Sequence, residues 1–187
     1  YCIDRFKFEE GNSPSAVWTM TQESLTSGNA YTAGFTKALK MDCTTSDDAS
    51  GHADILNVLK YATEQHDTHL FKKGTANAEK YTLAFWIKAT KTGTHICELR
   101  DSSNDRACSV AYTVSTTNTW EHKVVNFPAD TTGAFGDDNG RSFDLTIWLH
   151  AGSTYTGGTL PSTWAANVNA NRAVGAGSIF DSTSNNR

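Results

Sequence analysis

The stretch LTIWLHA at 145–151 alternates in period two, with Leu145, Ile147 and Leu149 on one side and Thr146, Trp148 and His150 on the other. Successive side chains of an extended strand point to opposite faces, so the aliphatic set shares a face and the tryptophan leaves it. LAFWIKA at 83–89 repeats the arrangement: Leu83, Phe85 and Ile87 share a face, opposed by Ala84, Trp86 and Lys88. Both stretches predict strands with an aliphatic core face and an indole on the far side.

The same short period recurs along the chain, interrupted by turn clusters. Nine strands are expected: Tyr1–Phe8, Ala16–Gln22, Phe35–Cys43, Asp54–Glu64, Tyr81–Ala89, Gly93–Arg100, Ala107–Val114, Glu121–Phe127 and Phe143–Ala151. Between them stand EEGNSP, TSGN, TTSDDASGH, DSSND, DTTGAFGDDNGR and TYTGGT, all rich in turn-forming residues. The run ADILNVLKYATEQ also satisfies a helical period, and its β neighbours favour a strand. HDTHLFKKG reads as one helical turn, with Asp67 as cap, Lys72 and Lys73 near the C-terminus and Gly74 ending it. From 152 onward Ala, Asn, Gly and Ser dominate, and Trp164, Val168, Val174, Ile179 and Phe180 can pin the segment down. A long loop of this kind is usually functional or disordered, and these apolar anchors lead us to expect it ordered. Many short strands without a helical hairpin predict an all-β fold, an antiparallel β-sandwich of jelly-roll type with a long C-terminal loop over 152–187. Residues 1–187 are expected to form one domain.

Composition narrows the classes. The formal charge is −4 with acids and bases interspersed, so no basic block marks a nucleic-acid partner. No apolar run approaches the ~20 residues needed for membrane insertion as a helix. A chain that opens on YCIDRFKF reads as a processed chain or a piece of a longer one.

The two tryptophans define the candidate surface. If strands 83–89 and 145–151 lie in one sheet with matched registers, Trp86 and Trp148 share a face, with Lys88, His150 and Thr146 beside them. Two such indoles expose ~400 Å², about the largest apolar patch a monomer leaves open. Something is expected to cover them: the 152–187 tail, a neighbouring subunit, or a sugar ring stacking its C–H face on an indole. Trp86, Trp148, Lys88 and His150 are therefore the candidate ligand-binding residues. Trp120 and Trp164 read as structural anchors.

Catalytic and metal signals are weak. There is no HExxH, no GxSxG and no phosphate-binding glycine loop in a βαβ context. HDTH at 66–69 lacks a nearby third ligand, and DDNG at 137–140 has Trp148 where a calcium loop needs Glu. DSSND at 101–105 also reads as a hairpin turn. Among Asp54, Glu64, Glu98 and Glu121, nothing singles out a pair for glycoside hydrolysis. The expectation is no catalytic residue, no cofactor and no enzymatic activity. A two-residue turn at Ser102–Ser103 would set Cys97 directly across from Cys108, as a cross-strand disulfide or as two buried thiols, and the thiols are the favoured reading.

YCIDRF, LFKKGTANAEKYTLAFWIKATKTGTHICEL, TWEHKVVNFPADTTGAF, LTIWLHAGSTYTGGTLPSTWAA and NANRAVGAG together resemble the jelly-roll domain of bacteriophage tail-fibre and virion-fibre structural proteins. The resemblance implies a sandwich similar to carbohydrate-binding modules in a virion appendage, assembled as a homotrimer with other virion proteins. It also implies attachment to a host surface glycan, sequence before IDRF, and a further strand after the tail. Many jelly rolls hold one structural calcium, so calcium is the metal to look for. The alternatives are a carbohydrate-binding module of a polysaccharide-degrading enzyme and a jelly-roll glycosidase.

Overall fold

The computed structural model describes residues 5–12, 15–46 and 52–179. Among the described residues ten strands form: β1 Phe6–Gly11, β2 Val17–Ser24, β3 Lys37–Thr45, β4 Leu56–Glu64, β5 Tyr81–Ile87, β6 Gly93–Asp101, β7 Arg106–Val114, β8 Glu121–Phe127, β9 Arg141–Ala151 and β10 Ala165–Ala166. One layer is a six-stranded sheet in the order β1-β4-β9-β6-β7-β10. Facing it are two separate ribbons, β2-β3 and β5-β8. Every pairing is antiparallel, which makes the fold an all-β sandwich. Three single-turn helices punctuate it: α1 Asn29–Thr32, α2 Gln65–Thr68 and α3 Ser153–Thr156.

Period two places the core. Cys97 and Leu99 of β6, Cys108, Tyr112 and Val114 of β7 and Phe143 of β9 pack against Tyr81, Val125 and Phe127 of the β5-β8 ribbon. Leu145 and Ile147 join them from β9, and Leu83, Phe85 and Ile87 from β5, so both aliphatic faces point inward as the alternation demands. Trp18 and Cys43 of the β2-β3 ribbon close the core near β1, where Phe8 and Trp18 lie 5.3 Å apart.

The 54–64 run is the strand β4, paired on both sides. In the 65–74 stretch, α2 starts at Gln65, so Asp67 lies inside it and bonds Arg5 at 3.2 Å rather than capping. The helical chain continues through a 3-10 turn at His69–Phe71 and ends on Lys72 (φ 52) and Gly74 (φ 80). Residues 1–4, including Cys2 and the start of the first expected strand, lie outside the described residues.

The β6-β7 hairpin departs from expectation. Its loop has four residues, 102–105, and pairs Asp101 with Arg106. Asp101 Oδ1 accepts the backbone N–H of Ser103 (3.0 Å) and of Asn104 (3.1 Å), which holds the wider turn. The pairing moves by two residues relative to a two-residue turn. Cys97 therefore faces Val110, and Cys108 faces Leu99. An even shift keeps both sulfurs on the core face but removes the direct opposition a disulfide would use. Both are free, buried thiols, and burial pushes each up to about 12. A thiolate is the reactive species, so Cys43, Cys97 and Cys108 should resist alkylation in the native protein and react in denaturant, as read by peptide mass mapping.

Candidate functional site

The two indoles lie in different layers, Trp148 on β9 of the six-stranded sheet and Trp86 on β5 of a ribbon. They do not form one surface. Trp148 points away from the core, as the alternation requires, yet it is fully buried. The segment 152–179 lies across the sheet's outer face and covers it. Tyr155 meets the indole with ring centroids 5.2 Å apart, and Ala173, Leu160 and Ala176 pack around it with Val58 and Ile96. His150, two residues on, contacts Ser178 Oγ through Nδ1 at 2.7 Å. Of the three covers expected for a tryptophan on this face, the chain's own tail is the one found over Trp148.

The tail is fastened by charge. Arg172 places its guanidinium 5.1 Å from the Trp148 ring and donates to Glu98 twice, Nε to Oε1 at 2.8 Å and Nη2 to Oε2 at 3.0 Å. Trp148 Nε1 donates to the same Glu98 Oε2 at 3.0 Å, and Ser109 Oγ donates to the Arg172 carbonyl at 2.9 Å. Register sets this up: Ile96 lies opposite Trp148 and Glu98 opposite Thr146, so Glu98 sits one step along the same face from the indole. Glu98, one of four acids that nothing in the sequence singles out, is fully buried.

Beyond Glu98 the outer face continues as a polar row. Thr146 lies between Lys60 and Glu98, and Asp144 between Ala62 and Arg100. Thr146 and Asp144 are buried, while Arg141 is 57% exposed and bonds Asp144 Oδ2 at 3.2 Å. Burial pushes the Asp144 carboxyl above its ordinary value, against the pull of Arg141, Lys60 and Arg100. Glu98 and Asp144 thus form a carboxylate neighbourhood that spacing in the sequence did not reveal.

Trp86 has a different setting. It is half-buried on the outer face of the β5-β8 ribbon, opposite His122, with ring centroids 5.2 Å apart. Along the same face lie Ala84 opposite Val124 (55% exposed) and Thr82 opposite Asn126, joined by a 2.9 Å bond from Thr82 Oγ1 to Asn126 Oδ1. Lys88 follows, exposed, with its Nζ 5.5 Å from the Trp120 ring. The ribbon therefore presents a strip of aromatic, amide and hydroxyl groups to solvent. Trp86 and Lys88 belong to it; Trp148 and His150 do not.

A third cluster was missed entirely. Lys73 is enclosed where the 101–105 and 130–135 loops meet. Its Nζ lies 2.5 Å from Asp101 Oδ2 and 3.2 Å from Asp130 Oδ2, and it donates to the carbonyls of Thr132 (3.0 Å) and Gly133 (2.6 Å). Arg106 closes the other side of Asp130 with two bonds of 2.8 and 2.9 Å. Trp164 anchors the tail at this corner, stacking on Phe143 and donating Nε1 to the Pro128 carbonyl at 2.8 Å.

No family model matches the chain, and no curated protein is similar to it. Among solved structures it is similar to the enzymatically active domain of tailspike protein 4 from bacteriophage CBA120, at 13% identity and a TM-score of 0.46. The likeness covers 80% of this chain and 18% of that one, so the chain spans under a fifth of that structure's length. The expectation of a chain without enzymatic activity is corrected here, because that domain is described as enzymatically active. Among the described residues no helix is long and apolar enough to cross a membrane.

Proposed function

We propose that this chain is a surface-recognition domain of a phage tail appendage, and that it engages host-surface polysaccharide through the outer face of the β5-β8 ribbon. The observation that carries the reading is the Trp86–His122 strip: a half-buried indole on the outer face of a strand pair, with Thr82 and Asn126 two pairs further along the same face. An indole offers a flat apolar face to the C–H side of a sugar, and neighbouring amide and hydroxyl groups take its hydroxyls. The virion setting rests on the ordered motifs that resemble those of phage fibre proteins. Weak sites repeated on a homotrimer would gain roughly 10²–10⁴ in avidity without new contacts.

The test is binding to an array of bacterial surface polysaccharides, with Trp86→Ala as the variant. Loss of one stacked ring should cost roughly 1–1.5 kcal/mol per site, about tenfold in affinity. Trp86 is on the surface, so the variant should unfold at the wild-type midpoint. Equal binding by wild type and variant, or no binding by a folded wild-type assembly, removes the reading.

A further inference from the structure

The outer face of the β5-β8 ribbon continues past its last paired residues. Ile87 pairs with Glu121, so the next pair outward is Lys88 and Trp120, on the same face as Trp86 and His122. The Lys88 ammonium accordingly stands 5.5 Å from the Trp120 ring. Trp120 lies diagonally across from Trp86, a spacing still within reach of aromatic side chains. It is also an anchor for the β2-β3 hairpin tip: Gly28 (φ 88) comes so near that a Cβ there would stand 3.2 Å from Trp120 Cδ1. A cation over an indole keeps its charge, so Lys88 is held in place and still has N–H donors to offer.

The charge around this pair is one-sided, although the whole chain carries −4. Glu121 is the single acid within 82–88 and 120–126, and alternation turns it to the inner face with Lys123. There it accepts from Lys123 Nζ at 2.5 Å and from the backbone N–H groups of Ser115 (2.9 Å) and Thr116 (2.7 Å). The segments bordering the strip, 25–36, 88–94 and 115–119, contain no Asp or Glu. The second and third of these are joined by the Asn118 N–H donating to the Ala89 carbonyl at 2.7 Å. Acids elsewhere on the surface are screened over about 10 Å at 0.1 M salt. An anion arriving at this face therefore meets Lys88 and no competing carboxylate.

We propose that the strip takes a sugar unit bearing a carboxylate, a uronic acid of an acidic polysaccharide, with the ring on Trp86 and the carboxylate on Lys88 Nζ. The proposal rests on the reading of this ribbon as the polysaccharide-binding face and adds the charge of the ligand. Trp86 and Lys88 stand two residues apart on one strand, about 7 Å, so a substituent of a stacked ring comes within range of the flexible lysine stem. One ammonium answers the single charge of a carboxylate; a phosphate monoester, with nearly two, calls for more cations.

The experiment is a titration of the ¹⁵N-labelled chain with oligogalacturonate, oligomannuronate and oligoglucuronate, each beside its carboxyl-reduced product, which keeps the ring and loses the charge. The expected result is saturable amide shifts over 82–88 and 120–126 with at least one uronate. Its reduced product should bind about tenfold more weakly. Uronate affinity should fall as salt rises from about 0.02 to about 0.5 M. Lys88→Gln should bring uronate affinity down to that of the reduced product and leave the latter unchanged. Lys7→Gln, the same charge loss on exposed β1 of the other layer, should alter neither. Trp86→Ala should weaken both forms. Equal binding of uronate and reduced product, or wild-type uronate affinity in Lys88→Gln, overturns the proposal while the ribbon reading stands. Uronate binding that survives Trp86→Ala is adsorption by charge alone and overturns it too. Absence of ribbon shifts with every uronate also overturns it, and the polysaccharide array then decides the ribbon reading by itself.

Discussion

Arg172→Ala should lower the unfolding free energy by about 3–5 kcal/mol and release the 152–179 segment to proteases. The magnitude follows from breaking one side of a buried ion pair, because the remaining charge has no water to turn to. Glu98 is fully buried and receives three hydrogen bonds, two of them from Arg172. Without the guanidinium, its carboxylate keeps only the Trp148 indole N–H. The cation also leaves the Trp148 and Tyr155 rings, which it contacts at 5.1 and 5.8 Å. The double variant Glu98→Gln with Arg172→Met should recover much of the loss, since neither charge is then stranded. Urea denaturation gives the stability, and limited proteolysis with mass mapping shows where the chain opens. An Arg172→Ala protein within 1 kcal/mol of wild type, with 152–179 still protected, would show that packing on Trp148 holds the segment by itself.

This contact marks where sequence reading ran out. Period-two alternation placed Leu145, Ile147, Leu83, Phe85 and Ile87 in the core and turned both indoles outward, and all of that holds. Alternation fixes the face a side chain occupies, but not the sheet its strand joins or what lies above it. Trp86 and Trp148 therefore read alike, though one is in a ribbon under solvent and the other under the tail. The partner of Glu98 is 74 positions away, beyond any local period. One signal was present: Arg172 is the only charged residue between 152 and 179. A lone cation in a stretch of small residues that must lie on a sheet calls for a buried acid. The hairpin register escaped for a related reason. The Asp101 side chain that holds the 102–105 turn is itself paired with Lys73, a contact across 28 positions.

That contact carries the second large effect. Lys73→Met should cost about 3–5 kcal/mol at neutral pH, by the same logic of a stranded buried charge. Methionine fills a similar volume, so the loss reports charge and hydrogen bonds rather than a cavity. The wild-type ammonium answers two carboxylates and two carbonyls at once, and the Phe135 and Trp164 rings stand 5.0 and 5.6 Å from it. Arg106 still serves Asp130 in the variant, leaving Asp101 with only backbone and Asn104 donors. The pH dependence sharpens the test. In wild type, burial pushes the Asp130 carboxyl up, but Arg106, the Thr132 N–H and Lys73 outweigh it and hold it below its ordinary value. A lowered folded value contributes stability above the unfolded value, which is lost as pH falls. Without Lys73 that hold on Asp130 is weaker, so the variant has less of this stability to lose in acid. The gap between wild type and Lys73→Met should therefore be constant near neutral pH and narrow as pH falls through and below about 4. Urea denaturation of both proteins across that range checks it. A gap that stays constant with pH would mean that the loss comes from the bonds to the Thr132 and Gly133 carbonyls rather than from the two carboxylates.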